Sequence, residues 1–158
     1  MKQKNGFDEV LTGAYRRMRL YTGAEATLQG LQDMWGLPKA ASWATAGYMG
    51  AISTGQTTCG LLIGCSVAIG LKCGNGRDGV PEEHASDRDR AIESVENLYR
   101  DFLKQFGSTD CRTLSGCDYS NSEDIARRFQ NKEWKDTCDV FLKFVMTRCA
   151  EMAQKNQI

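Results

Sequence analysis

Seven cysteines carry most of the chemistry available to this sequence of 158 residues, namely Cys59, Cys65, Cys73, Cys111, Cys117, Cys138 and Cys149. A Ser, Thr or Asp suited to N-capping a helix lies one to three residues before Cys59, Cys111 and Cys138. A thiol in the first turn of a helix faces unpaired N–H groups and the positive end of the dipole, which favour thiolate over thiol. We therefore predict a lowered thiol pKa at Cys59 and Cys111. Cys138 lies either at such a position or inside a helix that begins near Trp134.

The spacing of the cysteines limits which of them can act together. Cys59 and Cys65 are six residues apart, about 240° around a helix axis, so they face different directions. Cys138 and Cys149 share a helix face but lie about 16 Å apart along it, too far for a disulfide. No CxxC pair occurs. Any shared centre must therefore be assembled from separate segments by the fold.

Other residues contribute less to a candidate site. Free cysteine often packs as a small buried hydrophobe, and we assign that role to Cys65, Cys117 and Cys149, whereas Cys73 ends a helix beside Gly74. His84 is the single histidine, which excludes a His-rich zinc site and a bis-histidine haem site. The sequence contains no P-loop, no GxGxxG and no GxSxG motif.

Composition excludes several broad classes of protein. Twenty basic and twenty acidic residues cancel, and no cluster of Lys and Arg alternates with aromatic residues, so we expect no nucleic-acid partner. The first residues contain no apolar stretch of signal-peptide length, which predicts a cytoplasmic protein. Cysteines in such a chain indicate free thiols or metal ligands rather than structural disulfides.

A run of 32 residues between Lys39 and Lys72 contains no charge. Its cleanest apolar part, residues 59–71, is 13 residues long, whereas a membrane span needs roughly 20. We therefore expect no membrane insertion, and instead two interior helices joined by a glycine-rich bend. Gly60 and Gly64, four residues apart, predict a close approach of another helix.

The other elements must position the cysteines, and their apolar spacing is helical throughout. We predict helices at residues 7–18, 24–35, 39–49, 58–71, 83–107, 124–130 and 134–155, a short turn or helix at 111–114 and a turn-rich loop at 74–81. No window shows sustained alternation typical of a strand. The prediction is an all-α, single domain over residues 1–158, a compact bundle of five to seven helices around a buried glycine-rich central helix.

Over residues 20–153 the chain resembles a redox-active family named for its cysteine pattern, C_GCAxxG_C_C. A glycine-rich stretch, A46-G47-Y48-M49-G50, leads to C59-G60-L61-L62-I63-G64, which resembles the family's CGAxxG motif. F106-G107-S108-T109-D110-C111-R112 resembles the segment of the third family cysteine, and D136-T137-C138-D139-V140-F141 that of the fourth.

Two positions depart from the family pattern. Gly23 stands where the first cysteine belongs, and Leu61 replaces the Ala of CGAxxG. The resemblance implies a redox or metal centre at Cys59, Cys111 and Cys138 with three of four thiols. A four-thiolate site would need an exogenous ligand or one of the substitutes Cys65, Cys73 and Cys117. The departure also fits a member that has kept the fold and lost the centre.

Two classes of function follow. In the first, the chain is a small intracellular redox or metal-binding protein, with Cys59 as the reactive or ligating thiolate, Cys111 and Cys138 as its partners, and a separate redox partner. Thiolates suit an iron–sulfur cluster, zinc or copper(I), and two thiols can instead cycle through a disulfide. In the second, the chain is a helical protein-binding or assembly module, for example a homodimer, whose uncharged segment is buried against a partner and whose cysteines are structural.

Overall fold

The computed structural model describes residues 2–75, 77 and 81–158, and within these ranges it is helical with no strand. The described residues form eight α-helices: α1 (Lys2–Arg17), α2 (Gly23–Trp35), α3 (Tyr48–Ile52), α4 (Gly60–Gly74), α5 (Ala85–Phe106), α6 (Cys111–Ser115), α7 (Ser122–Asn131) and α8 (Cys138–Gln154). Three 3₁₀ helices accompany them, Lys39–Trp43, Pro81–His84 and Glu133–Lys135. The all-helical prediction is confirmed. The count of five to seven helices is not, because α3 and α6 are five-residue helices, too short for a clear periodic pattern.

Helix α2 begins and ends where local sequence dictates. Thr22 and Glu25 form a reciprocal capping box, in which the Thr22 hydroxyl accepts from the Glu25 N–H and the Glu25 carboxylate accepts from the Thr22 N–H. At the other end Gly36 adopts a left-handed conformation with φ of 64°, which halts the helix as predicted. Both ends of α2 are therefore determined within a few residues.

Helix α4 occupies the centre of the fold, packed against α2, α5 and α8. Several of its apolar side chains, Leu62, Ala68 and Ile69 among them, are fully buried. A methyl group on Gly64 would lie 2.4 Å from the Ala24 carbonyl oxygen, so α2 and α4 touch through their backbones. The predicted close approach is confirmed. The lack of charge in this part of the chain is explained by burial within the same molecule.

The segment after α2 differs from its prediction. A single helix over residues 39–49 is wrong, because Lys39–Trp43 is a 3₁₀ helix followed by turns and then by α3. The buried Gln32 side chain donates to the Pro38 carbonyl and accepts from the Ser42 hydroxyl, which ties this segment to α2. Glycines in the region, such as Gly47, further weaken a regular helix.

The last helix starts later than predicted. Lys132 has a positive φ of 56°, the 3₁₀ helix Glu133–Lys135 follows, and α8 begins only at Cys138. Cys138 is thus the first helical residue, the first of the two positions predicted for it. Most of the turn-rich loop predicted at 74–81 lies outside the described residues.

Where α5 meets α8, four phenylalanines pack edge to face at centroid distances of 4.7 to 5.9 Å: Phe102, Phe106, Phe141 and Phe144. This cluster fixes α8, and hence its first residue, against the rest of the core. Across the described ranges, every helix is too short or too polar to cross a lipid bilayer.

Candidate functional site

A cavity of about 400 Å³ is lined by Cys59, Cys111 and Cys138, the three cysteines that the sequence singles out. They come from the starts of three different helices, α4, α6 and α8. The fold therefore brings to one cavity three residues that their spacing along the chain could not connect.

A short antiparallel pairing holds the first two cysteines together. Thr58 and Asp110 form an isolated β-bridge, flanked by hydrogen bonds in which the N–H groups of Cys59 and Cys111 donate to the opposite segment at 2.7 and 2.8 Å. Side chains alternate between the two faces of such a pairing, so Cys59 and Cys111 project from the face opposite to Thr58 and Asp110.

Side chains at this bridge fix the two helix starts. The Asp110 carboxylate accepts from the Thr113 N–H at 2.7 Å and caps α6. The Tyr48 hydroxyl donates to the Thr58 carbonyl at 2.5 Å and lies 2.7 Å from the Thr57 hydroxyl. Helix α3 thus supports the strand-like segment that leads into Cys59.

A buried arginine holds the third cysteine. Arg128 is only 2% exposed, and its guanidinium donates to the Cys138 sulfur at 3.0 Å. It also donates to the Ser115 carbonyl at 2.7 Å and to the Thr137 hydroxyl at 2.9 Å. This one side chain therefore ties the end of α6 to the start of α8, and it places a positive charge against a thiol.

Sequence reasoning missed Arg128. It lies on a helix with several charged residues, beside the exposed Arg127, and no local feature distinguishes the two. Only the packing of α7 shows that one arginine is buried at the site and that its neighbour instead pairs with Glu133 at the surface.

The prediction of a lowered thiol pKa is wrong for both Cys59 and Cys111. Burial raises the pKa of Cys59 far above its usual range, and the nearby Cys111 thiolate charge adds to the rise. The N–H groups of Leu61 and Leu62 act in the predicted direction but are weaker than the desolvation. Burial likewise raises the pKa of Cys111 to about 12, with further contributions from the charges of Cys138 and Asp110.

The two departures from the family pattern lie side by side. Gly23 lines the same cavity as Cys59, and a β-carbon at Gly23 would lie 3.0 Å from the Leu61 Cδ2 atom. Leu61, which is larger than the alanine of the family pattern, therefore fills space beside Gly23, which is smaller than the family cysteine. A fourth thiol at position 23 would belong to this cavity but would press against Leu61.

The remaining cysteines lie elsewhere. Cys65 and Cys149 are fully buried in the core between α4 and α8, with sulfurs 3.7 Å apart. Cys117 is buried after α6, and Cys73 is buried in the last turn of α4. The packing role predicted for Cys65, Cys117 and Cys149 agrees with their burial, and Cys73 ends a helix as predicted. Among the described residues that line the cavity, Cys65, Cys73 and Cys117 do not appear, so their use as substitute ligands stays a prediction.

Metal binding also stays a prediction. Within residues 2–75, 77 and 81–158, no three His, Cys, Asp or Glu side chains are arranged to hold a metal ion. Zinc and iron–sulfur sites usually use four protein ligands at short distances.

A second cavity, of about 460 Å³, lies between α5 and the end of α8 and contains no cysteine among its described lining residues. Its main cation, Arg148, is paired with Asp101 and Glu151. Its described lining residues include no thiol, so for thiol chemistry the first cavity is the better candidate.

Residues 21–152 match the family described as "Putative redox-active protein (C_GCAxxG_C_C)", and the chain belongs to this family. No curated protein and no solved structure matches it. The match includes Cys59, Cys111 and Cys138 and also position 23.

Proposed function

We propose that this member of the C_GCAxxG_C_C family is a thiol–disulfide redox protein in which Cys138 is the attacking thiol and Cys111 the resolving thiol. The observation that carries the proposal is the meeting of three thiols in one cavity with the Arg128 guanidinium on the Cys138 sulfur. Membership of a family described as redox-active supports it.

The contact between Arg128 and Cys138 selects the attacking thiol. A guanidinium binds an anionic sulfur more strongly than a neutral one, and the thiolate is the form that attacks a disulfide. Cys59, the reactive thiol in the sequence-based hypothesis, is buried and has no such partner within the described part of the chain. The attacking role therefore moves from Cys59 to Cys138.

Cys111 is the resolving thiol because it lines the same cavity as Cys138 and is partly accessible, as Cys138 is. Cys59 also lines the cavity but is buried. The difference in accessibility favours a first disulfide between Cys111 and Cys138.

The reaction conserves atoms and electrons. The Cys138 thiolate attacks one sulfur of a partner disulfide, forming a mixed disulfide and releasing one partner thiolate, which takes up a proton. The Cys111 sulfur then attacks the Cys138 sulfur, loses its proton to the second departing thiolate and completes an intramolecular disulfide. Two protein thiols are oxidised and one partner disulfide is reduced to two thiols. We place this chemistry in the cytoplasm, where thiols are kept reduced.

Trapping the mixed disulfide tests the proposal. The Cys111→Ser variant, treated with bis(hydroxyethyl) disulfide, is expected to hold the reagent on Cys138, whereas the unaltered protein forms a Cys111–Cys138 disulfide. Peptide mass spectrometry without reductant identifies both products. Cys73→Ser, which removes a buried thiol outside the cavity, is the matched control and should behave like the unaltered protein. Failure of Cys138 to form any adduct in Cys111→Ser would refute the assignment.

The binding-module alternative keeps part of its support. It rested on the uncharged segment, of which the α4 part is buried against α2, α5 and α8 of the same chain, whereas Trp43 and Met49 before it are exposed. Light scattering at high protein concentration would still detect self-association.

A further inference from the structure

The mouth of the thiol cavity is apolar and open to solvent. Leu20 is 71% exposed, Tyr21 53%, Met49 46% and Phe129 57%, and all four line this cavity. Large apolar side chains gathered around one opening are typical of a binding site rather than of ordinary surface. The volume of about 400 Å³ falls within the range of about 300–1,000 Å³ that small-molecule sites occupy.

The inner wall of the cavity carries a charge that no carboxylate of the described residues compensates. Arg128 donates to a carbonyl, a hydroxyl and the Cys138 sulfur, and within those ranges it forms no ion pair with a carboxylate. A buried charge is costly unless an opposite charge compensates it. The Cys138 thiolate supplies that charge before the reaction and loses it when its sulfur bonds to the substrate, so Arg128 then favours an anionic group next to Cys138.

The other charged residues that line the cavity are already engaged. The Glu25 carboxylate accepts two hydrogen bonds from Thr22, and Arg19 pairs with Asp139 while lying over the Trp134 ring at 5.2 Å. Glu25 is thus held at the start of α2 by its capping box. Of the two arginines that line the cavity, Arg128 is the one with no carboxylate partner in the described ranges.

We propose that the substrate of this cavity is a small organic disulfide with an apolar body and an anionic group such as a carboxylate. The inference rests on the proposed function and names its substrate class. The apolar body contacts the exposed rim, and the anionic group contacts Arg128. Since the same guanidinium touches the Cys138 sulfur, an anion bound there brings the substrate disulfide to the attacking thiol.

The chemical step is the balanced exchange already described, with this molecule as the partner. The Cys138 sulfur bonds to one substrate sulfur, the substrate S–S bond breaks, and one substrate thiol leaves. Resolution by Cys111 releases the second thiol, so the substrate gains two electrons from the protein, one proton from Cys111 and one proton from solvent. No other oxidant or reductant takes part.

Two aromatic disulfide probes separate charge from apolar contact. Dithiobis(nitrobenzoate) carries carboxylates, whereas dithiodipyridine is uncharged. Their second-order rate constants with Cys138 are measured in the Cys111→Ser protein and divided by those with free N-acetylcysteine. We expect the normalised rate constant of the charged probe to exceed that of the uncharged probe by at least about tenfold, which is the effect of one charge-assisted hydrogen bond.

Variants of neighbouring arginines supply the control. The preference for the charged probe is the ratio of the two normalised rate constants. Arg128→Gln is expected to reduce this ratio to one, whereas Arg128→Lys should retain part of the preference. Arg127→Gln removes the same charge from the exposed next residue and should leave the preference intact. Because Arg128→Gln also removes a buried group that ties α6 to α8, a second measurement uses the Arg128-containing protein. There naphthoate should protect Cys138 from dithiodipyridine, and naphthalenemethanol should not.

The outcomes distinguish the two proposals. Equal normalised rates for both probes, or equal protection by both naphthalenes, would overturn the substrate class while leaving the thiol–disulfide function intact. Absence of any reaction at Cys138 with either probe would overturn the proposed function itself.

Discussion

At the scale of single residues, Gly64 decides how closely the two central helices approach. A β-carbon there would lie 2.4 Å from the Ala24 carbonyl oxygen and 2.9 Å from the Thr27 β-carbon. Neither neighbour is the end of a flexible side chain, so the backbones themselves would have to separate. Since α2 and α4 both contribute residues to the thiol cavity, this contact also positions Cys59.

Gly64→Ala is expected to lower the free energy of unfolding by about 1–3 kcal/mol, the usual effect of overpacking a core. Urea unfolding followed by circular dichroism measures it. Gly70→Ala is the matched control, because Gly70 is exposed on the same helix with no heavy atom within 4 Å of an added β-carbon. In that control the free energy of unfolding should rise by roughly 0.5–1 kcal/mol, because alanine has a better helix propensity than glycine. Equal effects of the two substitutions would contradict the packing role of Gly64.

At the scale of elements, the contact between the start of α2 and the first turn of α4 joins the two departures from the family pattern. Gly23 and Leu61 border one space, in which a side chain at position 23 would meet the Leu61 methyl group. A small residue on α2 is therefore matched by a large one on α4. The pair keeps this end of the cavity filled with hydrocarbon in place of a fourth thiol.

A double-mutant cycle tests this pairing. Gly23→Cys alone should crowd Leu61, and Leu61→Ala alone should leave a cavity in the core. The double variant should lose less free energy of unfolding than the sum of the losses in the two single variants, with an interaction energy of about 1 kcal/mol. Urea unfolding of the four proteins gives the cycle. Strict additivity would show that the two positions do not share the space.

At the scale of the whole molecule, burial sorts the seven thiols. All seven are free, five are buried, and only Cys111 and Cys138 are partly accessible. Both accessible thiols belong to the candidate site. The fold thus shields the remaining thiols from reagents and leaves open the two that the proposed reaction uses first.

Maleimide labelling of the native, reduced protein should therefore modify Cys138 rapidly, Cys111 more slowly because its pKa is raised to about 12, and the other five thiols only after urea unfolds the chain. Mass spectrometry of intact protein and of peptides counts and locates the adducts. Rapid native labelling of Cys65 or Cys149, which lie deepest in the core, would contradict the packing of α4 against α8. A variant that carries both Cys65→Ala and Cys149→Ala would give the number of adducts expected when neither of these thiols is labelled.

Much of the architecture was predictable because the interactions that start and end helices act over a few residues. The stop at Gly36, the capped start before Cys111 and the long helix ending at Gly107 all follow from residues within one turn. The helix at 39–49 was mispredicted because its outcome depends on Gln32, which lies on the preceding helix.

The sequence alone therefore determined that the chain is helical, that its central apolar helix is too short to span a membrane, and that Cys59, Cys111 and Cys138 lie near helix starts, with two positions left open for Cys138. Tertiary structure alone decided that these cysteines share a cavity, that burial raises the pKa of Cys59 and Cys111, and that Arg128 contacts Cys138. The physical reason is the distance along the chain over which each interaction acts. Helix formation depends on neighbours along the chain, whereas desolvation and charge pairing depend on which remote segments the fold packs together.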